Sequence, residues 1–163
     1  MKTARRGKQA PEGALDGSGL RIAIVRARFN ARVVDGLCDG AEDALTAMSV
    51  AQVSIFDVPG AFELPLAARV AAETGRYDAI VALGAVIRGG TDHYEHIARE
   101  VAAGTQRAAL DSGVPVAFGV LTVARLAQAL ARSRRGSGNK GAEAARAAVA
   151  TALSLRAIRD GKA

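Results

Sequence analysis

Tryptophan is absent from the 163-residue sequence, cysteine occurs once (Cys38), histidine twice and proline four times, and aromatic residues make up only 4%. One thiol excludes a disulfide framework and any metal site built on several thiolates. With so few rings, the core must be assembled from Ala, Val, Leu and Ile. Long apolar runs are also missing. The longest, residues 79–87, is far short of the ~20 residues that cross a bilayer. What the chain does have is aliphatic bulk: half of it is hydrophobic and 23% is charged, which excludes a disordered protein. Its length suits one compact domain with a real core.

Charge is unevenly spread. The 22 Lys and Arg exceed the 16 Asp and Glu, for a net +6. Residues 1–9 contribute +4 through Lys2, Arg5, Arg6 and Lys8; residues 10–124 sum to −5; residues 125–163 sum to +7. A basic surplus invites a nucleic-acid reading. The mildly acidic body argues against it, as does the lack of an RNA-binding signature, serial aromatic platforms or a recognition-helix pattern. No nucleic-acid partner is expected. Residues 1–19, rich in Gly, Pro and polar groups, read as a disordered basic tail preceding a single domain over residues 20–163. No apolar segment follows the basic start, so a signal peptide is not expected, and a cytoplasmic protein without a membrane partner is.

Strand and helix patterns alternate along the domain. Residues 20–27 (LRIAIVRA) read as a buried strand, and residues 31–48 place Val33, Leu37, Ala41, Ala44 and Met48 at helical spacing. A second strand spans 50–58, stopped by Pro59 and Gly60. A short helix follows over 62–73, with Gly75 closing it. Residues 77–87 form the most apolar strand, suited to the middle of a parallel sheet. After Arg88-Gly89-Gly90, Thr91 is placed to cap a helix over 92–112. A fourth strand at 114–122, a helix near 124–132 and an Ala-rich helix over 142–158 complete the pattern. Four strands interleaved with helices predict one three-layer α/β/α domain with a parallel, flavodoxin-like sheet. In such sheets ligands bind beyond the C-terminal strand ends. That rule singles out 28–30, 59–63, 88–93 and the region after Phe118.

Chemistry-bearing residues fall in those segments. Phe29, beside Asn30, is either a core-edge ring or a stacking platform for a flat heterocycle with an amide next to it. Glu63, in the rigid stretch VPGAFELP, either favours a helix N-terminus or offers acceptors to ligand hydroxyls. Gly89 and Gly90, between a strand and a helix, expose backbone N–H groups suited to an oxyanion. His93, in the first turn of the next helix, is placed to move protons. His93 and His96 share a helical face, but a third ligand is lacking and no metal is expected. GSGNKG at 136–141 fits a dinucleotide-binding pattern, yet it follows a helix end rather than a strand and fails that context. Cys38 reads as a buried structural thiol. Arg132, Arg134, Arg135 and Lys140 form a basic cluster, either a solvated helix end or a phosphate clamp.

The segments RFN, VPGAFELP, GAVIRGGTDHYEHIARE, PVAFGVLT and GNKGAEAA stand in order across residues 20–158. In sequence and spacing they resemble the 6,7-dimethyl-8-ribityllumazine synthase family of riboflavin biosynthesis. The resemblance implies a cofactor-free transferase joining 5-amino-6-(D-ribitylamino)uracil to 3,4-dihydroxy-2-butanone 4-phosphate with release of phosphate. Phe29 matches the aromatic that stacks on the pyrimidine. Ala61, Phe62 and Glu63 match the triplet holding that substrate, the Glu on ribityl hydroxyls, and Ala85, Val86 and Ile87 match the strand end along its ring. Gly90 and Thr91 match the pair contacting the second substrate, His93 the proton donor, Phe118 an aromatic reaching in from a neighbouring subunit, and Arg132 the phosphate-binding Arg. The stretch Leu121-Thr122-Val123-Ala124-Arg125 departs from the usual pattern, as does Ser133-Arg134-Arg135 after Arg132, which brings extra guanidinium groups beside the matched one. A homopentamer is also implied, with sites shared between subunits and, in many members, a sixty-subunit shell. The alternative is a non-catalytic paralogue that binds lumazine or flavin or serves as a shell.

Overall fold

The computed structural model describes residues 15–162. Of the tail expected over residues 1–19, residues 1–14 lie outside the described residues. Within 15–19, Gly17 donates its backbone N–H to Met48 O (2.7 Å) and Leu15 packs against the core.

Four parallel strands, β1 (Arg21–Ala27), β2 (Gln52–Val58), β3 (Ala79–Ile87) and β4 (Val116–Val123), form a sheet in the order β2-β1-β3-β4. The predicted fold class is the one observed. Helices α1 (Ala31–Ala47), α4 (Leu126–Ser133) and α5 (Lys140–Arg159) cover one face, and α2 (Leu64–Glu73) and α3 (His93–Ser112) cover the other. A single 3-10 turn, Ala61–Glu63, leads into α2.

Period-two alternation assigns each strand residue to one layer. On β1, Ile22 and Ile24 face α1 and α5, while Ala23, Val25 and Ala27 face α2. β3 is buried through Val86, as its uninterrupted apolar run requires of a central strand. β2 lies at an edge and is exposed over much of its length. β4 forms the opposite edge.

The Ala-rich α5 buries seven residues, six of them Gly or Ala, including Gly141, Ala145 and Ala148. Small side chains let it run close to α1: a Cβ at Gly141 would overlap the Leu37 carbonyl, and one at Gly40 would overlap the Asn139 amide. Asn139 is 1% exposed. Its amide nitrogen lies 2.9 Å from Gly36 O, 3.0 Å from Ser133 O and 3.1 Å from Arg134 O, and its Oδ1 accepts from Ala142 N at 3.0 Å. Asn139 thus caps α5 and ties it to α1 at Gly36 and to the end of α4. This is why α5 begins at Lys140, two residues before the apolar pattern does.

The capping expected of Thr91 is not observed. α3 starts at His93, the residue before it is Asp92, and no side chain caps the helix. Gly75 ends the turn after α2 at φ +68°, the left-handed conformation glycine supplies without strain.

Candidate active site

The strand order reverses between β1 and β3, and a cavity of about 270 Å³ opens at their C-terminal ends. β1 contributes Phe29 and Asn30 just past its end. β3 contributes Ala85, Val86 and Ile87. The 3-10 turn contributes Ala61, Phe62 and Glu63, and the loop into α3 contributes Gly89, Thr91 and His93. Eleven of the residues singled out from the sequence therefore converge, Asn30 and Gly89 among them. Gly90 lies between lining residues Gly89 and Thr91 without lining the cavity itself.

The rings at this mouth are held outward. Phe29 is 72% exposed and Phe62 58%. The burial of large apolar groups is favourable, so exposing rings in a chain this poor in them leaves faces on which a flat ligand can stack. Glu63 serves its own loop as well as the cavity: its Oε2 accepts from Gly60 N at 2.9 Å, which fixes the carboxylate over the turn. His93 is exposed at the start of α3, on the cavity wall.

Phe118 and Arg132 lie elsewhere. They line a separate cleft of about 350 Å³ along edge strand β4, with Lys140 and Glu143, and the two cavities share no lining residue. Phe118 is 43% exposed, and Arg132 is anchored by its Nη1 donating to Gln128 O at 3.0 Å. Within one chain the Arg132 guanidinium thus does not meet the Gly89–Thr91 loop in a common cavity. Arg134 and Arg135 do not line this cleft, and Arg135 points toward Asp43 at 3.9 Å.

Gly60, which lies in the 59–63 segment marked from the sequence, also lines the cavity; Tyr94 and Ile97 escaped the sequence reading. Tyr94 and Ile97 recur at i, i+3 with Val101 at i+7 of Tyr94 on the core-facing stripe of α3. Tyr94, one of only two tyrosines, was the available signal. Of the basic cluster read from the sequence, Lys140 joins Arg132 in the second cleft. The Cys38 thiol lines neither cavity. Burial pushes the Cys38 thiol up to about 11, with the neighbouring Glu42 adding to the effect. His93 and His96 gain no third partner: among the described residues no group of three His, Cys, Asp or Glu could hold a metal ion.

A parallel sheet of this order, with a preformed cavity at its switch point walled by outward rings and helix-terminal backbone, defines a flavodoxin-like α/β protein whose cavity is shaped to take a flat ligand. The chain belongs to the 6,7-dimethyl-8-ribityllumazine synthase family, whose model matches residues 19–156. It is 54% identical over 149 residues to the 6,7-dimethyl-8-ribityllumazine synthase of Anaeromyxobacter dehalogenans strain 2CP-C, covering 90% of this chain and 92% of the relative. It is 51% identical over 154 residues to the enzyme of the same name from Kineococcus radiotolerans, covering 93% and 95%.

Proposed function

We propose that this protein catalyses the condensation of 5-amino-6-(D-ribitylamino)uracil with 3,4-dihydroxy-2-butanone 4-phosphate to 6,7-dimethyl-8-ribityllumazine, releasing phosphate. The observation that carries the reading is the convergence of Phe29, the 61–63 turn, the 85–87 strand end, Thr91 and His93 on one cavity at the switch point. Phe29 and Phe62 offer ring faces to the pyrimidine, and backbone at Ala85, Val86 and Ile87 lies along its edge. Glu63 accepts from ribityl hydroxyls with the oxygen that Gly60 does not occupy.

The butanone then sits toward Gly90 and Thr91, beside His93, which moves protons as the aromatic amine condenses with the ketone and phosphate leaves. Holding two substrates in one cavity contributes about 7 kcal/mol or more toward the barrier when they are well oriented. Arg132 is the guanidinium for the phosphate, which it meets bidentately and stabilises as it departs.

That role needs Arg132 and Phe118 to face a cavity from which their own chain separates them. The arrangement supports a homo-oligomer in which the β4 cleft of one copy closes over the switch-point cavity of the next. We assign the pentamer to this contact, and the sixty-subunit shell to further association of pentamers. The cytoplasm is the compartment this reaction calls for, with no nucleic-acid or membrane partner. Residues 20–163 act as one catalytic domain, against which Leu15 and Gly17 are fastened.

The test is direct. Purified protein incubated with both substrates is expected to develop lumazine absorbance and to release one phosphate per lumazine. Binding of lumazine without its formation would instead favour the non-catalytic paralogue.

A further inference from the structure

We propose that Asn30 is a positioning residue whose side-chain amide sets the separation between the Phe29 platform and the β3 strand end, and so the width of the slot that receives the ring. This rests on the reading of the cavity given above.

The β1–β3 register ends at the pair Arg26 and Leu83, whereas β3 continues to Ile87. Past Leu83 the β1 side of β3 has no strand partner, and the cavity begins there. The Asn30 Nδ2 donates across this gap to Ala85 O at 3.0 Å. On its other side the same loop is stitched to the end of β2: Arg28 N donates to Val58 O at 2.8 Å and Phe29 N to Pro59 O at 3.0 Å. Three strand ends are thereby tied through residues 28–30.

Two features show that Asn30 is committed to this tether. It precedes α1 as the capping residue, and its carbonyl accepts from Val33 N and Val34 N at 3.0 and 3.1 Å, yet its side chain makes no cap bond. The usual work of an Asn at that position is to accept from the first-turn N–H groups. Here the amide is turned to β3 instead. Its backbone also stands at φ 60°, ψ 42°, a left-handed conformation that Asn tolerates better than most residues.

Phe29 cannot be oriented by ring packing. The aromatic pair found among the described residues is Phe56 with Tyr77, and Phe29 is mostly exposed. Its position is inherited from backbone on either side, of which Asn30 supplies the anchor to the opposite wall. The layers that hold β1 and β3 lie in the core, away from this bond, so cutting the tether loosens the slot without unfolding the domain.

Two variants of the full chain separate the bond from the backbone conformation. Asn30→Gly accepts the left-handed φ but has no amide. Asn30→Asp keeps the shape and, as a carboxylate, presents like charge to the Ala85 carbonyl, whereas its protonated form can donate again. Asn30→Gly is expected to raise KM for the ribitylaminouracil about tenfold, the scale of one lost hydrogen bond in a preformed site. KM for the phosphorylated butanone should stay within about twofold of the parent, with Tm little changed. Asn30→Asp should show the same defect at pH 8 and a partial recovery as pH falls toward 5, a trend Asn30→Gly does not share.

Unchanged KM values in Asn30→Gly overturn the proposal. So does an equal rise in both KM values accompanied by a loss of Tm, which marks a merely structural residue. A parent that forms no lumazine refutes the catalytic reading rather than this one. Titration with 6,7-dimethyl-8-ribityllumazine, followed by its fluorescence, then decides: equal affinity for parent and Asn30→Gly, or none for either, overturns the positioning role.

Discussion

The two cavities that hold the candidate residues are built by opposite means. The switch-point cavity is walled by three strand ends and two helix starts, and its backbone is pinned by bonds such as Asn30 to Ala85 and Gly60 to Glu63. The β4 cleft lies along an edge strand and offers charged side chains, Arg132, Lys140 and Glu143, with Lys140 paired to Glu143. The first suits a rigid neutral ring recognised by shape and edge. The second suits an anion recognised by charge, for which long side chains on a sheet margin suffice. On the proposed function, one chain carries the two halves of a bisubstrate site without joining them.

The division can be broken most strongly at His93. Replacement by Ala is expected to lower turnover by about 10²-fold or more with both substrates saturating, the usual scale for a positioned proton donor. Unchanged turnover would remove His93 from the chemistry and leave the first cavity a binding site only. Next in size is Arg132→Glu, which should raise KM for the phosphate substrate by about 10- to 100-fold, as loss and reversal of a charge-assisted pair implies, and KM for the pyrimidine far less. Equal effects on both would erase the distinction between the cavities. Reassembling His93→Ala chains with Arg132→Glu chains should recover activity that neither has alone, because some contacts then join two intact halves. A mixture as inactive as its components would mean that each chain holds a whole site. The smallest effect is reserved for Arg134→Ala and Arg135→Ala: both side chains lie outside the cleft, so KM for the phosphate substrate should change less than about twofold. A larger change at either would move the phosphate clamp along the helix end.

Much of this arrangement is written locally. The apolar runs of β1 and β3, the breaks at Pro59-Gly60 and Gly89-Gly90, and the glycine at 75 mark where strands and helices stop, and strand ends are where a parallel sheet binds. The first cavity could therefore be assembled from the chain order. The separation of Arg132 from it could not, and that of Phe118 came only from the resemblance, because which side of a strand an edge residue serves depends on how far the sheet continues. Asn139 is a similar case. In sequence it is a polar residue within a Gly-rich stretch; only the crossing of α1 and α5 makes it a buried knot whose amide reaches Gly36, 103 positions away. Thr91 misled for a simpler reason: a hydroxyl before a helix suggests a cap, but the chain turns helical one residue later, after Asp92.

The stretch around Asn139 has a consequence for how such sequences change over generations. Gly136 and Gly138 face open space, while Gly141 and Gly40 have no room for even a methyl group. Of the two ends of one short polar motif, the outer is free to drift wherever its backbone allows, and the inner is frozen by volume. An invariant Asn-x-Gly here would record the distance between two helices, and only the lysine between them would report on a ligand.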